Sequence, residues 1–244
     1  MISRDLPIPQ RALAIGAHPD DIEFGAGATL AKWAAGGCEV SLLICTDGSK
    51  GTWDAAADLR ALVEQRQQEQ RSAARELGAT GEVVFLGHVD GELASGLAER
   101  AEVAEWIRHL RPDVLLGHDP WARYRLHPDH RHAGLLAVEG LVAARDPHFF
   151  PEQRLAHHRP GHLLLFEAER IDHVEDVDGF TDAKLAALEA HRSQFESTMF
   201  IGTTDEAASQ RAAFRRRQLD RAAVMGRRVG LAWAEAFASV PTNR

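Results

Sequence analysis

The chain has 244 residues, 45% hydrophobic and 26% charged, the proportions of an ordinary soluble globular protein with room for one large domain. A formal charge of −8 excludes a nucleic-acid binder that gains its affinity by neutralising phosphates. Two cysteines exclude a disulfide framework; residues 1–7 lack the apolar core of a secretion signal, and no apolar run approaches the roughly 20 residues of a membrane span, so a cytoplasmic protein with no membrane partner is expected.

A first buried strand is predicted at residues 11–17, ending in His18-Pro19-Asp20-Asp21. A helix over 25–35 stops at Gly36-Gly37. The aliphatic, β-branched run 39–45 is a second strand. Cys38 and Cys45, seven apart, should face opposite sides of the sheet as buried free thiols. Residues 46–51 form a loop by their turn chemistry, and 55–77 a helix with Gly78 just past its end. Arg66 and Glu69 on that helix offer a local ion pair, either on a solvated face or in a structural role near the site. A third strand (82–86), a helix (97–110) and a fourth strand (112–117) follow. Pro128 suits the first turn of a helix to 144, and 162–166 is a fifth strand. From about Asp182 the chain reads as mostly helical and packed on the sheet; within it 211–228 is an amphipathic helix with a charged outer face.

Short aliphatic strands alternating with helices imply an α/β fold with a mainly parallel sheet and helices on both faces, in one domain over 1–244. Ligands in such folds collect beyond the carboxyl ends of the strands. The loops at 18–21, 46–54, 87–92 and 118–130 should therefore open on one edge, where the polar residues gather.

His18 and Asp21, three apart, can be aimed at one ion by a single tight turn, and His130 would join them from the fourth strand's loop. Two imidazoles and one carboxylate suit Zn2+ with a position left for water, and Fe2+ is compatible with the same donors. Asp20 diverges from its neighbour Asp21 and is the natural general base. His127, one turn before His130, is placed to stabilise an oxyanion or protonate a leaving amine, with Asp129 as the counterweight that holds it charged. His132, His157, His158 and His162 read as solvated or structural, and His191 as either.

Ala17-His18-Pro19-Asp20-Asp21 and His127-Pro128-Asp129-His130 resemble the two signatures of the LmbE-like, or PIG-L, family of metal-dependent N-acetylglucosaminyl deacetylases, which includes the mycothiol and bacillithiol pathway deacetylases. The residues 66–78 and 184–194 share the likeness, which covers most of the chain. The resemblance implies a Rossmann-like sheet, zinc on His18, Asp21 and His130, Asp20 as base, and His127 stabilising the oxyanion with Asp129 behind it. It implies a small N-acetylated sugar as substrate; members of the family often form symmetric homo-oligomers, and the sequence leaves the oligomeric state of this chain open. Ile22 separates the paired Asp residues from Glu23, a spacing nearer the bacillithiol branch, and Arg125 stands where some members have Tyr, so Tyr124 is displaced by one. Trp53 and Trp121 offer ring faces to a sugar or cover the loop bases. The expected reaction is removal of an acetyl group from an N-acetylated amino sugar or its glycoside. The alternatives are amidase action on a thiol conjugate or other N-acyl amine, and a nucleotide-binding module on the same fold. The last needs a Gly-rich phosphate loop where His18-Pro19-Asp20-Asp21 stands, and those carboxylates repel a pyrophosphate.

Overall fold

The computed structural model describes residues 2–242. Its elements are β1 (Ser3–Arg4), β2 (Arg11–Gly16), α1 (Asp21–Ala35), β3 (Glu39–Thr46), α2 (Leu59–Glu76), β4 (Val83–His88), α3 (Leu97–Leu110), β5 (Val114–His118), α4 (Pro128–Arg145), β6 (His162–Phe166), β7 (His173–Asp176), α5 (Thr181–Ala190), α6 (Ala207–Val229) and β8 (Ala234–Pro241), with a 3-10 and a π turn between α5 and α6. The strands form one sheet in the order β1-β7-β8-β6-β5-β2-β3-β4. All pairs are parallel except β8 with β6 and β7, which are antiparallel.

Mostly aliphatic runs make β2, β3 and β5 buried on both faces, as a parallel sheet covered by helices requires. Alternate residues divide between two cores. Ala12, Ala14, Leu42 and Ile44 pack with Leu30 and Trp33 of α1 and with α2 and α5. Leu13, Ile15, Leu43 and Cys45 pack with Val103 and Ile107 of α3 and Leu136 of α4. Cys38 falls in the first core and Cys45 in the second, both as free thiols, as the strand period requires.

The five expected strands are present, and three more were not anticipated. β1 is two residues long. β7 is short and polar in sequence, yet His173 and Glu175 are buried because they bond each other and Glu175 takes Lys32 from α1. β8 follows α6, buried at Ala234, Glu235 and Phe237 and more open towards Pro241, so the chain after Asp182 is helical only as far as Val229. Two helix starts also move. Asp58, whose carboxylate accepts from the N–H groups of Arg60 and Ala61, starts α2 at Leu59 rather than 55, a cap that stabilises a helix by about 1 kcal/mol. α1 begins at Asp21, four residues before the expected start, so the carboxylate motif becomes the helix entrance itself. No helix among the described residues is long and apolar enough to cross a membrane.

Candidate active site

β2 ends at Gly16, and the chain turns through residues 17–20 into α1. A Cβ on Gly16 would stand 3.0 Å from Ile22 Cγ1 and 3.3 Å from Asp21 Cβ, so a larger residue would crowd the turn where it folds back. Asp20, the residue before the helix, has φ 101° and ψ −25°, a left-handed conformation that is costly for a residue with a side chain. It sends the two neighbouring carboxylates to different places.

Asp21 gathers three imidazoles. Its Oδ2 lies 3.2 Å from His18 Nδ1 and 3.3 Å from His118 Nε2, and its Oδ1 lies 3.2 Å from His130 Nε2. Donors bonded at about 2.0–2.2 Å to one tetrahedral ion sit about 3.3–3.6 Å apart, so these separations suit a shared cation. The rings are set for it: His118 stacks on His130 with centroids 4.5 Å apart, and His18 lies 5.2 Å from His130. Such sets of His and Asp donors could hold a metal ion, one of them Asp21, His118 and His130.

The far side of His18 meets two more carboxylates. Its Nε2 is 3.1 Å from Asp129 Oδ2 and 3.1 Å from Asp90 Oδ1. Asp129 is fully buried and also accepts from the N–H groups of Gly91, at 2.6 Å, and Leu93, at 3.2 Å. Its hydrogen bond is therefore to His18, a correction to the pairing with His127 read from the sequence. His127 sits at the rim, its side chain 42% exposed, with Nε2 3.9 Å from Asp90 Oδ1.

Electrostatics follow this geometry. Burial pulls the His18 imidazole down, but hydrogen bonds to Asp129, Asp21 and Asp90 overcome it and push the group up to about 12. Burial opposes ionisation of Asp21, yet His130 and His118 hold it well below the ordinary carboxylate value. The nest demands positive charge, which a divalent cation with neutral imidazoles supplies. Burial pushes Asp20 up to about 6, against the pull of Arg66. Burial, with the charges of His18 and His130, lowers His127, so the expected standing charge on that ring is not supported.

The site opens into a cavity of about 500 Å³. Trp53 and Phe200 line it, together with Lys50, Arg217 and Arg221. Trp121 and Tyr124 are not among its walls, and Tyr124 is 90% exposed. All six expected site residues meet at this edge, and Asp20 stands apart from the imidazoles beside Arg66, whose Nη2 is 3.7 Å from its Oδ2.

Three participants, His118, Asp90 and Gln70, escaped the sequence reading, and Arg66 takes the structural role near the site that was one of its two expected readings. His118 is the last residue of β5, 1% exposed, and Asp90 lies in the loop after β4. Both stand at strand ends, where the fold rule already directed attention. Arg66 and Gln70 reach in from α2. Arg66 does not pair with Glu69: it serves Gly48 and Pro19, while Glu69 accepts from Ser193, and both are buried rather than solvated. His191 is buried beneath the site, its Nε2 3.5 Å from Glu23 Oε2. His132 pairs with Ser95 and His158 with the Pro112 carbonyl, away from the site.

The sequence matches the PIG-L family, described as GlcNAc-PI de-N-acetylase, over residues 13–141. The diacetylchitobiose deacetylase of Thermococcus kodakarensis is 34% identical over 189 residues, 76% of this chain and 70% of that one. A 1D-myo-inositol 2-acetamido-2-deoxy-alpha-D-glucopyranoside deacetylase of Streptomyces avermitilis is 36% identical over 174 residues, 61% of this chain and 58% of that one. Among solved structures, the N,N'-diacetylchitobiose deacetylase of Pyrococcus horikoshii superposes with a TM-score of 0.84 at 28% identity, covering 96% of this chain and 85% of that one.

Proposed function

The chain belongs to the PIG-L family, and from that premise we propose that it is a metal-dependent hydrolase that removes the acetyl group from an N-acetylated amino sugar or its glycoside. The observation that carries the reading is the split between two adjacent carboxylates: Asp21 among three imidazoles, Asp20 apart from them beside Arg66.

In this reading His18, Asp21 and His130 hold the ion, zinc before iron(II), with His118 beside Asp21. When bound, the cation lowers the pKa of a coordinated water and polarises the acetyl carbonyl. Asp129 accepts a hydrogen bond from the Nε2–H of His18, which fixes the tautomer that leaves Nδ1 free as a ligand. Asp20 accepts the proton of the attacking water and later passes it to the departing nitrogen, so acetate and a free amine are the products. His127, neutral at the rim, donates its N–H to the oxygen on which charge develops. The rings of Trp53 and Phe200 on the cavity wall suit the face of a sugar.

The test is amine release from N-acetylglucosamine derivatives, with thiol-conjugate amides assayed beside them. Asp20→Asn should keep its metal and lose about 10²–10⁴ in kcat. Turnover by Asp20→Asn at the wild-type rate would remove Asp20 as the base, and cleavage of the conjugates alone would turn the reading to an amidase.

A further inference from the structure

The strained conformation of Asp20 has a visible restraint. The N–H of Asp20 donates to Gln70 Oε1 at 3.1 Å. The carbonyl oxygen at the other end of the same peptide, that of Pro19, accepts from Arg66 Nη2 at 2.6 Å. Arg66 and Gln70 are four apart on α2, one helical turn, and so reach the same side. Both are buried, at 3% and 0% exposure. One rigid helix thus grips the donor and the acceptor of the Pro19–Asp20 peptide bond, and the plane of that peptide is fixed.

Gln70 is itself held. Its Nε2 donates to Glu23 Oε1 at 2.7 Å, which settles which end of the amide faces Asp20. Glu23 is fully buried in the first turn of α1, with His191 packed against its other oxygen. The grip therefore ties α2, α1 and the end of α5 to one backbone N–H.

A side-chain-bearing residue stays at φ 101° only where its surroundings over-determine it. We propose that Gln70 is a positioning residue for catalysis: by holding the Asp20 N–H opposite Arg66, it keeps Asp20 in the left-handed conformation that separates its carboxylate from that of Asp21. The proposal rests on Asp20 acting as base. It assigns Gln70 a role in proton transfer geometry, with no part in binding the ion or the sugar. Misplacing a catalytic group by about 1 Å costs on the order of 10²-fold in rate.

Gln70→Leu removes the acceptor at similar volume, and Gln70→Asn keeps an amide that is one methylene too short. Each should lower kcat about 10- to 100-fold while KM stays within about twofold and zinc content is unchanged. The exchanged pair Gln70→Glu with Glu23→Gln keeps an acceptor for the Asp20 N–H, rebuilds the bond between positions 70 and 23 with its direction reversed, and should recover most of the loss. A crystal structure of zinc-loaded Gln70→Asn should show Asp20 out of the left-handed region. The proposal is overturned if either variant, folded and zinc-loaded, keeps kcat within about threefold of wild type, or if kcat and zinc content fall together. The two readings fail separately. If the wild-type protein releases amine from no N-acetyl sugar, the proposed function falls; the crystal structure then decides the grip alone, and Asp20 still near φ 101° in Gln70→Asn overturns it.

Discussion

Asp129→Asn separates two accounts of the second histidine motif. The sequence suggests that Asp129 steadies His127; the structure gives its hydrogen bond to His18, with the N–H groups of Gly91 and Leu93 as further donors. An asparagine can replace one acceptor oxygen, but its NH2 group must then face a donor. If the amide oxygen stays with His18 and Gly91, the Leu93 N–H is orphaned at a cost of about 1–3 kcal/mol in stability. The larger effect is on the ion. Without the carboxylate, His18 loses the charge-assisted bond that raises its basicity as a ligand, and such outer partners are worth about 10–100-fold in metal affinity, or about 1.4–2.8 kcal/mol. The assay is a chelator competition titration with zinc, run beside the pH–rate profile of the fully loaded variant. Zinc affinity should fall in that range, with little change in the limb that reports His127. Affinity within about twofold of wild type, together with a shifted limb, would refute the reasoning and return Asp129 to His127.

Asp20 titrates upward because it is buried, and a carboxylate base works only when ionised. Activity should therefore fall as pH drops, with a midpoint at or below about 6, since a bound cation pulls Asp20 further down; kcat/KM undiminished at pH 4 contradicts this. Burial raises Cys38 to about 12 and Cys45 higher still, so neither is a thiolate at pH 8. Ellman's reagent should titrate no thiol in the folded protein and two after unfolding, and one fast-reacting thiol in the native state would refute the packing of β3.

The parts of the fold legible in the sequence are those where one interaction dominates. Residues 12–16, 40–45 and 114–117 are apolar apart from the buried Ser41 because both faces of those strands are covered, and they read as strands on sight. β7 was hidden because His173 and Glu175 become buried only through each other and through Lys32, which lies 143 residues before Glu175. β8 was hidden because it is rich in small residues and carries a charge at Glu235, and its strand character comes from lying between β6 and β7. At the site, local motifs marked His18, Asp20, Asp21, His127, Asp129 and His130. A lone His at the end of a strand and a Gln in a polar helix carry no such mark, so His118 and Gln70 emerge only when the topology brings β5 and α2 to the same edge.

The central claim is one ion gathered by His18 and Asp21 from a single turn and by His130 from a distant loop. A crystal structure of the protein soaked in zinc, with anomalous scattering recorded at the zinc edge, tests it directly. The account predicts a single catalytic-site peak about 2.0–2.2 Å from His18 Nδ1, an Asp21 oxygen and His130 Nε2, with Asp20 unligated. A peak held by Asp20, or zinc bound without His18 and His130, would contradict it.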